Sequence, residues 1–177
     1  ELKLIIATER ESIGLEAEER ELLNNVFEFS EVVVEEIMVP RTKITSVPRD
    51  APFSLLLNEV VDSGHSRFPV TGDSLDDIVG MIDFKELAVP LAKGHLTPET
   101  RINSWIRPVR FVPEFTPLGE LLSTMRRSRL EMVMIVDEFG GTAGLVTLKD
   151  LIDEIIGDES ELGGNVSGEE EIALQML

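Results

Sequence analysis

Residues 144–151, GLVTLKDL, are the most informative stretch of this sequence, because residues 80–87, GMIDFKEL, repeat their pattern. Both stretches begin with a glycine and two apolar residues, and both end in a lysine, a carboxylate and a leucine. Further upstream, Pro48 corresponds to Pro113 at an offset of 65 residues. A fixed offset within one chain indicates repeated structural units. The sequence therefore predicts two related units of about sixty residues each.

The two units contain the same order of hydrophobic patterns. A short strand precedes an amphipathic helix, two strands joined by a turn-rich segment follow, and a second helix closes the unit. The predicted strands are 44–47, 67–71, 78–82, 111–112, 132–136 and 142–146, and the predicted central helices are 53–61 and 118–126. The closing helices begin at Asp83 and Thr147. Each unit is therefore β-α-β-β-α, and the fold class is α+β.

One such unit has a thin core, because a three-stranded sheet covered by two helices buries little apolar surface. We therefore expect the two units to pack as one pseudo-symmetric module with a helical N-terminal arm. The predicted segments are an acidic helical connector, a first repeat, a linker, a second repeat and an acidic linker, at residues 1–30, 31–92, 93–100, 101–157 and 158–177.

The composition restricts the possible ligands and partners. The chain has 34 acidic and 16 basic residues and a formal net charge of -18, which repels nucleic acid at long range. A phosphate site must therefore be local, at a helix N-terminus or a few basic side chains. Cysteine is absent, which excludes thiol chemistry. No apolar run approaches the roughly 20 residues that span a bilayer, so we expect any membrane attachment to lie outside this chain.

Thr147 and Asp150 permit two interpretations. As a capping box, the Thr147 oxygen accepts the amide hydrogen of Asp150, and the carboxylate accepts the amide hydrogen of Thr147. As a ligand site, the same helix N-terminus offers N–H groups to a phosphate and a carboxylate to ribose hydroxyls. The glycine that precedes each stretch, Gly144 or Gly80, allows another group to approach the backbone closely. Asp83 and Glu86 have the same spacing in the first unit.

Residues 144–151 resemble the adenosine-binding signature of CBS domains, and the repeat length, strand order and duplication agree with that family. Residues 34–41 (VEEIMVPR), 65–70 (HSRFPV) and 137–144 (DEFGGTAG) resemble the CorC-type transporters, bacterial relatives of the CNNM magnesium transporters. The resemblance covers roughly residues 10 to 160. It implies a tandem CBS pair.

The resemblance also implies a place in a larger protein. In that family a membrane domain carries magnesium or cobalt, the CBS pair binds an adenine nucleotide, and a small C-terminal domain follows. The nucleotide is ATP more often than AMP, commonly with Mg²⁺. This chain would be the middle part, at the cytoplasmic face of the membrane and dimeric through its CBS modules. Its role would be to regulate transport without catalysis.

The family's motifs carry over to particular residues of this sequence. Asp150 would hold the ribose, Thr147 would contact ribose or phosphate, and Arg67 would meet phosphate. His65 and the backbone around Val39 would border the base. For Arg67 the alternative is a solvated charge at the end of a strand. The complete predicted cofactor-binding set is Val39, His65, Ser66, Arg67, Thr147, Lys149 and Asp150.

This sequence departs from the family's pattern in both units. Lys149 stands where the family often has an acidic residue, which alters the local charge. In the first unit, Asp83 and Glu86 put two carboxylates where a nucleotide would put phosphates, and like charges at that range disfavour binding. We therefore expect one occupied site.

Other chemistries have less support. His65 and His95 lack the spacing of a metal or catalytic site. Asp153, Glu154 and Asp158 could gather a divalent cation, although acidic runs are usually solvated. No nucleophile-elbow, P-loop or zinc-protease motif occurs. The alternatives to nucleotide-dependent regulation are a structural dimerisation module without ligand and, less favoured, an enzyme.

Overall fold

The computed structural model describes residues 17–157. The helices of this region are α1 Ala17–Phe29, α2 Phe53–Ser63, α3 Ala88–Ala92, α4 Leu118–Arg127 and α5 Leu148–Ile156. Its strands are β1 Val39–Pro40, β2 Val47–Pro48, β3 Arg67–Thr71, β4 Ile78–Asp83, β5 Arg110–Pro113, β6 Met132–Val136 and β7 Thr142–Thr147. Short 3₁₀ helices are Val34–Glu36, Arg41–Lys43, Phe84–Leu87 and Ile102–Trp105. The predicted acidic linker at 158–177 and the start of the predicted connector lie outside the described residues.

Two sheets form the centre of the molecule, in the strand orders β2-β3-β4 and β1-β7-β6-β5. In each unit the first strand runs parallel to the second, and the second pairs antiparallel with the third. The predicted α+β fold of two tandem β-α-β-β-α units is confirmed. The first strand of each unit has different bounds from the prediction. β2 is Val47–Pro48 where residues 44–47 were predicted, and β5 is Arg110–Pro113 where residues 111–112 were predicted.

The closing segment of the first unit differs from the single predicted helix. A 3₁₀ helix, Phe84–Leu87, follows Asp83, and a new helix, α3, begins at Ala88. Pro90 explains the interruption, since inside a continuous helix it would lack an N–H donor and its ring would clash with the preceding turn. In α3 the proline lies in the first turn, where no intrahelical N–H bond is required. The second closing helix, α5, is continuous over nine residues.

The stretch ahead of the β-α-β-β-α core of each unit joins the sheet of the other unit. β1 lies ahead of the core of the first unit and pairs antiparallel with β7 of the second, with Val39 opposite Leu145. Correspondingly, Arg107 lies ahead of β5, the first core strand of the second unit, and exchanges two backbone hydrogen bonds of 2.8 Å with Met81 on β4. We call these two stretches, residues 32–40 and 100–107, the lead-in segments. Their exchange ties the two units into one body.

Two glycines make this exchange possible. A Cβ atom on Gly144 would lie 2.4 Å from the Val39 carbonyl oxygen, and one on Gly80 would lie 2.4 Å from the Arg107 carbonyl oxygen. Real Cβ atoms essentially never approach a backbone oxygen so closely. The group that these glycines admit is therefore the lead-in segment of the other unit.

The buried apolar side chains follow the same exchange. Phe29 and Val34, from ahead of the β-α-β-β-α core of the first unit, pack in the core of the second unit. Leu96 and Ile102, from ahead of the core of the second unit, pack in the core of the first. A third, smaller cluster lies between the two sheets and contains Met132, Met134 and Leu145, with Val39, Ile44, Ile78, Met81 and Val109 packed against it.

A polar contact also connects the two units. Arg41 forms an ion pair with Asp76 in the β3–β4 turn and donates a 3.2 Å hydrogen bond to the Thr142 carbonyl of the second unit. Asp76 accepts a hydrogen bond of 3.1 Å from the Thr142 amide. The Arg41 guanidinium, followed by this amide, holds the pKa of the Asp76 carboxyl below its usual range.

We predict that Gly144→Ala destabilises the chain by about 1–3 kcal/mol, because its Cβ overlaps a backbone oxygen that cannot rotate away. Gly141→Ala is the matched control in the same hairpin, since its Cβ would meet only side-chain oxygens at 3.1 Å or more. Urea unfolding measures both free energies. Equal losses for the two variants would contradict the role given to the lead-in contact.

Candidate functional site

A cavity of about 730 Å³ opens where the N-terminus of α5 meets β1 and the start of β3. All seven residues that the sequence singled out line this cavity, although four lie in the first half of the chain and three in the second. The lining is Val39, Lys43, Ile44, Thr45, Gly64, His65, Ser66, Arg67, Pro69, Glu131, Met132, Leu145, Thr147, Leu148, Lys149, Asp150 and Ile152.

The N-terminus of α5 leaves one backbone donor for a ligand. Thr147 Oγ1 accepts a 3.1 Å hydrogen bond from the Asp150 amide, and Asp150 Oδ2 accepts a 3.3 Å bond from the Thr147 amide, so the predicted capping box is present. The Leu148 amide donates to the Glu131 carbonyl at 2.9 Å. Among the described residues the Lys149 amide has no acceptor, and the Asp150 carboxylate keeps its Oδ1 oxygen unbonded.

The cavity carries a local excess of basic groups in a strongly acidic protein. Lys43, Arg67 and Lys149 line it together with only two carboxylates, those of Glu131 and Asp150. The positive end of the α5 dipole adds to this balance. The cavity is therefore a place where a phosphate can approach a protein of net charge -18.

Arg67 is already paired in this structure. Its Nε lies 3.3 Å from Asp83 Oδ2, and its terminal Nη2 forms an ion pair with Glu131. The arginine side chain is only 24% exposed. It is therefore not a solvated charge at the end of a strand, and it connects a first-unit carboxylate to a second-unit one.

A smaller cavity of about 250 Å³ occupies the pseudo-symmetric position beside β4. Its lining is Arg67, Met81, Asp83, Glu86, Arg107, Pro108, Val109, Arg110, Arg129, Leu130, Glu131 and Met132. Ligand pockets commonly have about 300–1,000 Å³, so the larger cavity lies inside this range and the smaller one below it.

The predicted capping box of the first unit is absent. Asp83 Oδ1 accepts a 3.0 Å hydrogen bond from the Lys85 amide, two residues on, and Glu86 forms an ion pair with Arg107. An aspartate favours this short loop to its own backbone, whereas the Thr147 hydroxyl reaches the amide three residues on. Because Lys85 corresponds to Lys149 in the repeat, the amide that is free in the second unit is blocked in the first.

Sequence reasoning missed several residues of the larger cavity, above all Lys43 and Glu131. The repeat itself contained a signal for Glu131, since it lies immediately before β6 as Ser66 lies immediately before β3. Lys43 had no such signal, because a 3₁₀ turn after β1 carries it to the cavity. His95, unlike His65, is not part of the lining.

Within residues 17–157, no three His, Cys, Asp or Glu side chains are grouped so as to hold a metal ion. Asp153 belongs to α5, and its Oδ2 lies 3.7 Å from Lys149 Nζ. Asp158 is outside the described residues. In the same part of the chain, no helix has the length and apolar character needed to cross a membrane.

Comparison with known proteins identifies the repeated unit. The sequence profile described as CBS domain matches residues 34–92 and 106–157. Among curated proteins, the chain is 35% identical over 158 residues to the UPF0053 protein YhdP of Bacillus subtilis, covering 89% of this chain and 36% of that protein. It is 34% identical over 158 residues to the magnesium and cobalt efflux protein CorC of Pasteurella multocida, covering 89% and 52%. The chain thus spans about a third to a half of these relatives.

Solved structures give the same result. The CBS domain of the bacterial CNNM/CorC family Mg²⁺ transporter with the inhibitor IGN95a superposes with a TM-score of 0.78 at 39% identity, covering 89% of this chain and 96% of that one. The same kind of domain in complex with ATP gives 0.73 at 39% identity, covering 78% and 97%. A CBS-domain pair with bound AMP from Klebsiella pneumoniae gives 0.61 at 31% identity, covering 71% and 99%.

A profile match over both units and near-complete coverage of a solved relative at 39% identity define the family. The chain belongs to the CBS domain family, as a tandem CBS module similar to the CBS domains of CNNM/CorC family Mg²⁺ transporters.

Proposed function

We propose that the larger cavity binds an adenine nucleotide, with ATP preferred to AMP, and that binding regulates divalent-cation transport by a membrane domain of the same protein. One observation carries this proposal. A single cavity combines the free Lys149 amide, an unbonded Asp150 carboxylate oxygen and three basic side chains. The solved relatives with ATP and with AMP support the choice of ligand.

The base and ribose have suitable partners in the lining. Val39, Ile44, Met132 and Leu145 offer apolar surface for the flat face of a purine. The free Oδ1 of Asp150 can accept hydrogen bonds from ribose hydroxyls while Oδ2 continues to cap α5. The structural role of this carboxylate is therefore compatible with a ligand role.

The phosphates would lie towards the cationic side of the cavity. The Lys149 N–H lies at the positive end of the α5 dipole, and Lys43 and Arg67 supply further charge. Three basic side chains favour a polyphosphate over a monophosphate, which is why we propose ATP as the preferred ligand. Mg²⁺ commonly binds through substrate phosphates with only one or two protein carboxylates, so the lack of a preformed acidic cluster within residues 17–157 is compatible with an ATP–Mg²⁺ complex.

A covalent path leads from this cavity to the N-terminal helix. α1 ends at Phe29, which packs in the second unit's core, and ten residues later Val39 reaches the cavity wall. A nucleotide that moves β1 would therefore move α1. We propose that α1 leads to the membrane domain and that the module lies at the cytoplasmic face. The free energy available for this movement is limited to the difference in the nucleotide's affinity for the module before and after β1 and α1 move.

We predict that calorimetry detects binding of ATP and that Asp150→Ala weakens it by at least about tenfold, because a charge-assisted hydrogen bond to ribose is lost. Glu154→Ala is the matched control, since it removes an exposed carboxylate from the same helix outside the cavity. It is expected to bind like the unmodified chain. Absence of heat with ATP, ADP and AMP, with and without Mg²⁺, would refute nucleotide binding.

Self-association as a homodimer is the second candidate function, and an apolar strip on α2 supports it. Leu57 and Val61 are four residues apart on one helix face and are 39% and 73% exposed. We propose that this strip contributes to self-association of the module. Such a role does not require an occupied cavity.

We expect Val61→Glu to raise the dimer dissociation constant by at least about tenfold, because an unpaired charge would enter an apolar contact. Val89→Glu tests a similarly exposed valine on α3, at 61%, and should leave the constant unchanged. Sedimentation equilibrium measures both. A monomeric unmodified chain, or equal effects of the two substitutions, would rule out this interface.

A further inference from the structure

Glu131 contacts two of the cationic elements that the larger cavity offers to a phosphate, the N-terminus of α5 and Arg67. Its carbonyl accepts the Leu148 amide at the N-terminus of α5, and its carboxylate forms the ion pair with Arg67. The residue also lines both cavities, so it lies at their common wall. Its position corresponds to that of a ligand anion, although it is part of the protein.

We propose that the Glu131 carboxylate is an internal competitor for the nucleotide's phosphate. In the empty cavity it neutralises Arg67, and it turns away into solvent when a phosphate takes its place. This inference rests on the proposed function, since it concerns how the same site is regulated. Glu131 would then set the affinity for phosphate without contacting the nucleoside.

Of the two carboxylates on Arg67, only Glu131 is free to move. Asp83 is buried, and its second oxygen is held by the Lys85 amide. The Glu131 side chain is 54% exposed, and among the described residues its carboxylate contacts Arg67 alone. An exposed ion pair contributes little stability, so its exchange for a phosphate contact is readily reversible.

The competition has a consequence for selectivity. With Glu131 in place, a phosphate would meet an arginine that two carboxylates already neutralise. The Glu131 carboxylate, which lines the same cavity, would also repel the phosphate. This repulsion grows with the number of phosphate charges and is absent for adenosine. Glu131 therefore penalises ATP more than AMP and leaves the nucleoside unaffected.

The test is calorimetric titration of Glu131→Gln with ATP, AMP and adenosine. We expect ATP to bind on the order of threefold to tenfold more tightly than to the unmodified chain, with a smaller gain for AMP and none for adenosine. Glu120→Gln, on the exposed side of α4, makes the same change in net charge away from both cavities and should give no gain. Because the Glu131 side chain is exposed, the substitution should leave the thermal midpoint of unfolding unchanged.

A double-mutant cycle distinguishes competition for Arg67 from simple repulsion. In an Arg67→Gln background, the gain from Glu131→Gln should fall below about twofold, because no guanidinium remains to be released. An equal gain in both backgrounds would overturn the competitor role, and so would equal ATP affinities of the unmodified chain and Glu131→Gln. If no nucleotide binds to any variant or to the unmodified chain, the proposed function fails as well.

Discussion

The close approach of two backbone segments to Gly144 and Gly80 determines the arrangement of this module. Neither position has room for a side chain, because the carbonyl oxygens of Val39 and Arg107 occupy that space. Each lead-in segment therefore joins the sheet of the other unit, and hydrophobic cores form from both halves of the chain. Because this contact positions Val39 and Lys43 in the wall of the larger cavity, that cavity also depends on it. A duplication of sequence becomes one folded body through this exchange.

Within that body, the two pseudo-symmetric positions have different chemistry. The threonine at position 147 caps α5 three residues ahead and leaves the Lys149 amide free. The aspartate at position 83 accepts a hydrogen bond from the Lys85 amide, two residues ahead, and also pairs with Arg67. Aspartate at the position that holds threonine in the second unit thus engages both a backbone donor and a cation. This asymmetry, with the difference in cavity volume, favours a single nucleotide site.

The order of elements was predictable because the repeat supplies each pattern twice and because local periodicity specifies helices and strands. The capping box at Thr147 and the role of Gly144 as a point of close approach were also predictable from local sequence. The family resemblance supplied the seven cavity residues, whose ligand contacts stay predictions. The exchange of lead-in segments was not predictable, since it depends on pairings between separate segments of the chain, Val39 with Leu145 and Arg107 with Met81. The pairing of Arg67 with Glu131 was missed for the same reason. The break before α3 follows from Pro90, which the repeat pattern alone does not take into account.

Backbone amides of lysine provide the most direct test of the single nucleotide site. The five lysines are Lys3, Lys43, Lys85, Lys93 and Lys149, so a spectrum of chain labelled with ¹⁵N-lysine contains few signals. On titration with ATP, the Lys149 and Lys43 amide signals should shift while those of Lys85 and Lys93 stay in place. A shift of Lys85 with Lys149 unchanged would put the nucleotide in the smaller cavity and contradict a single site at the N-terminus of α5.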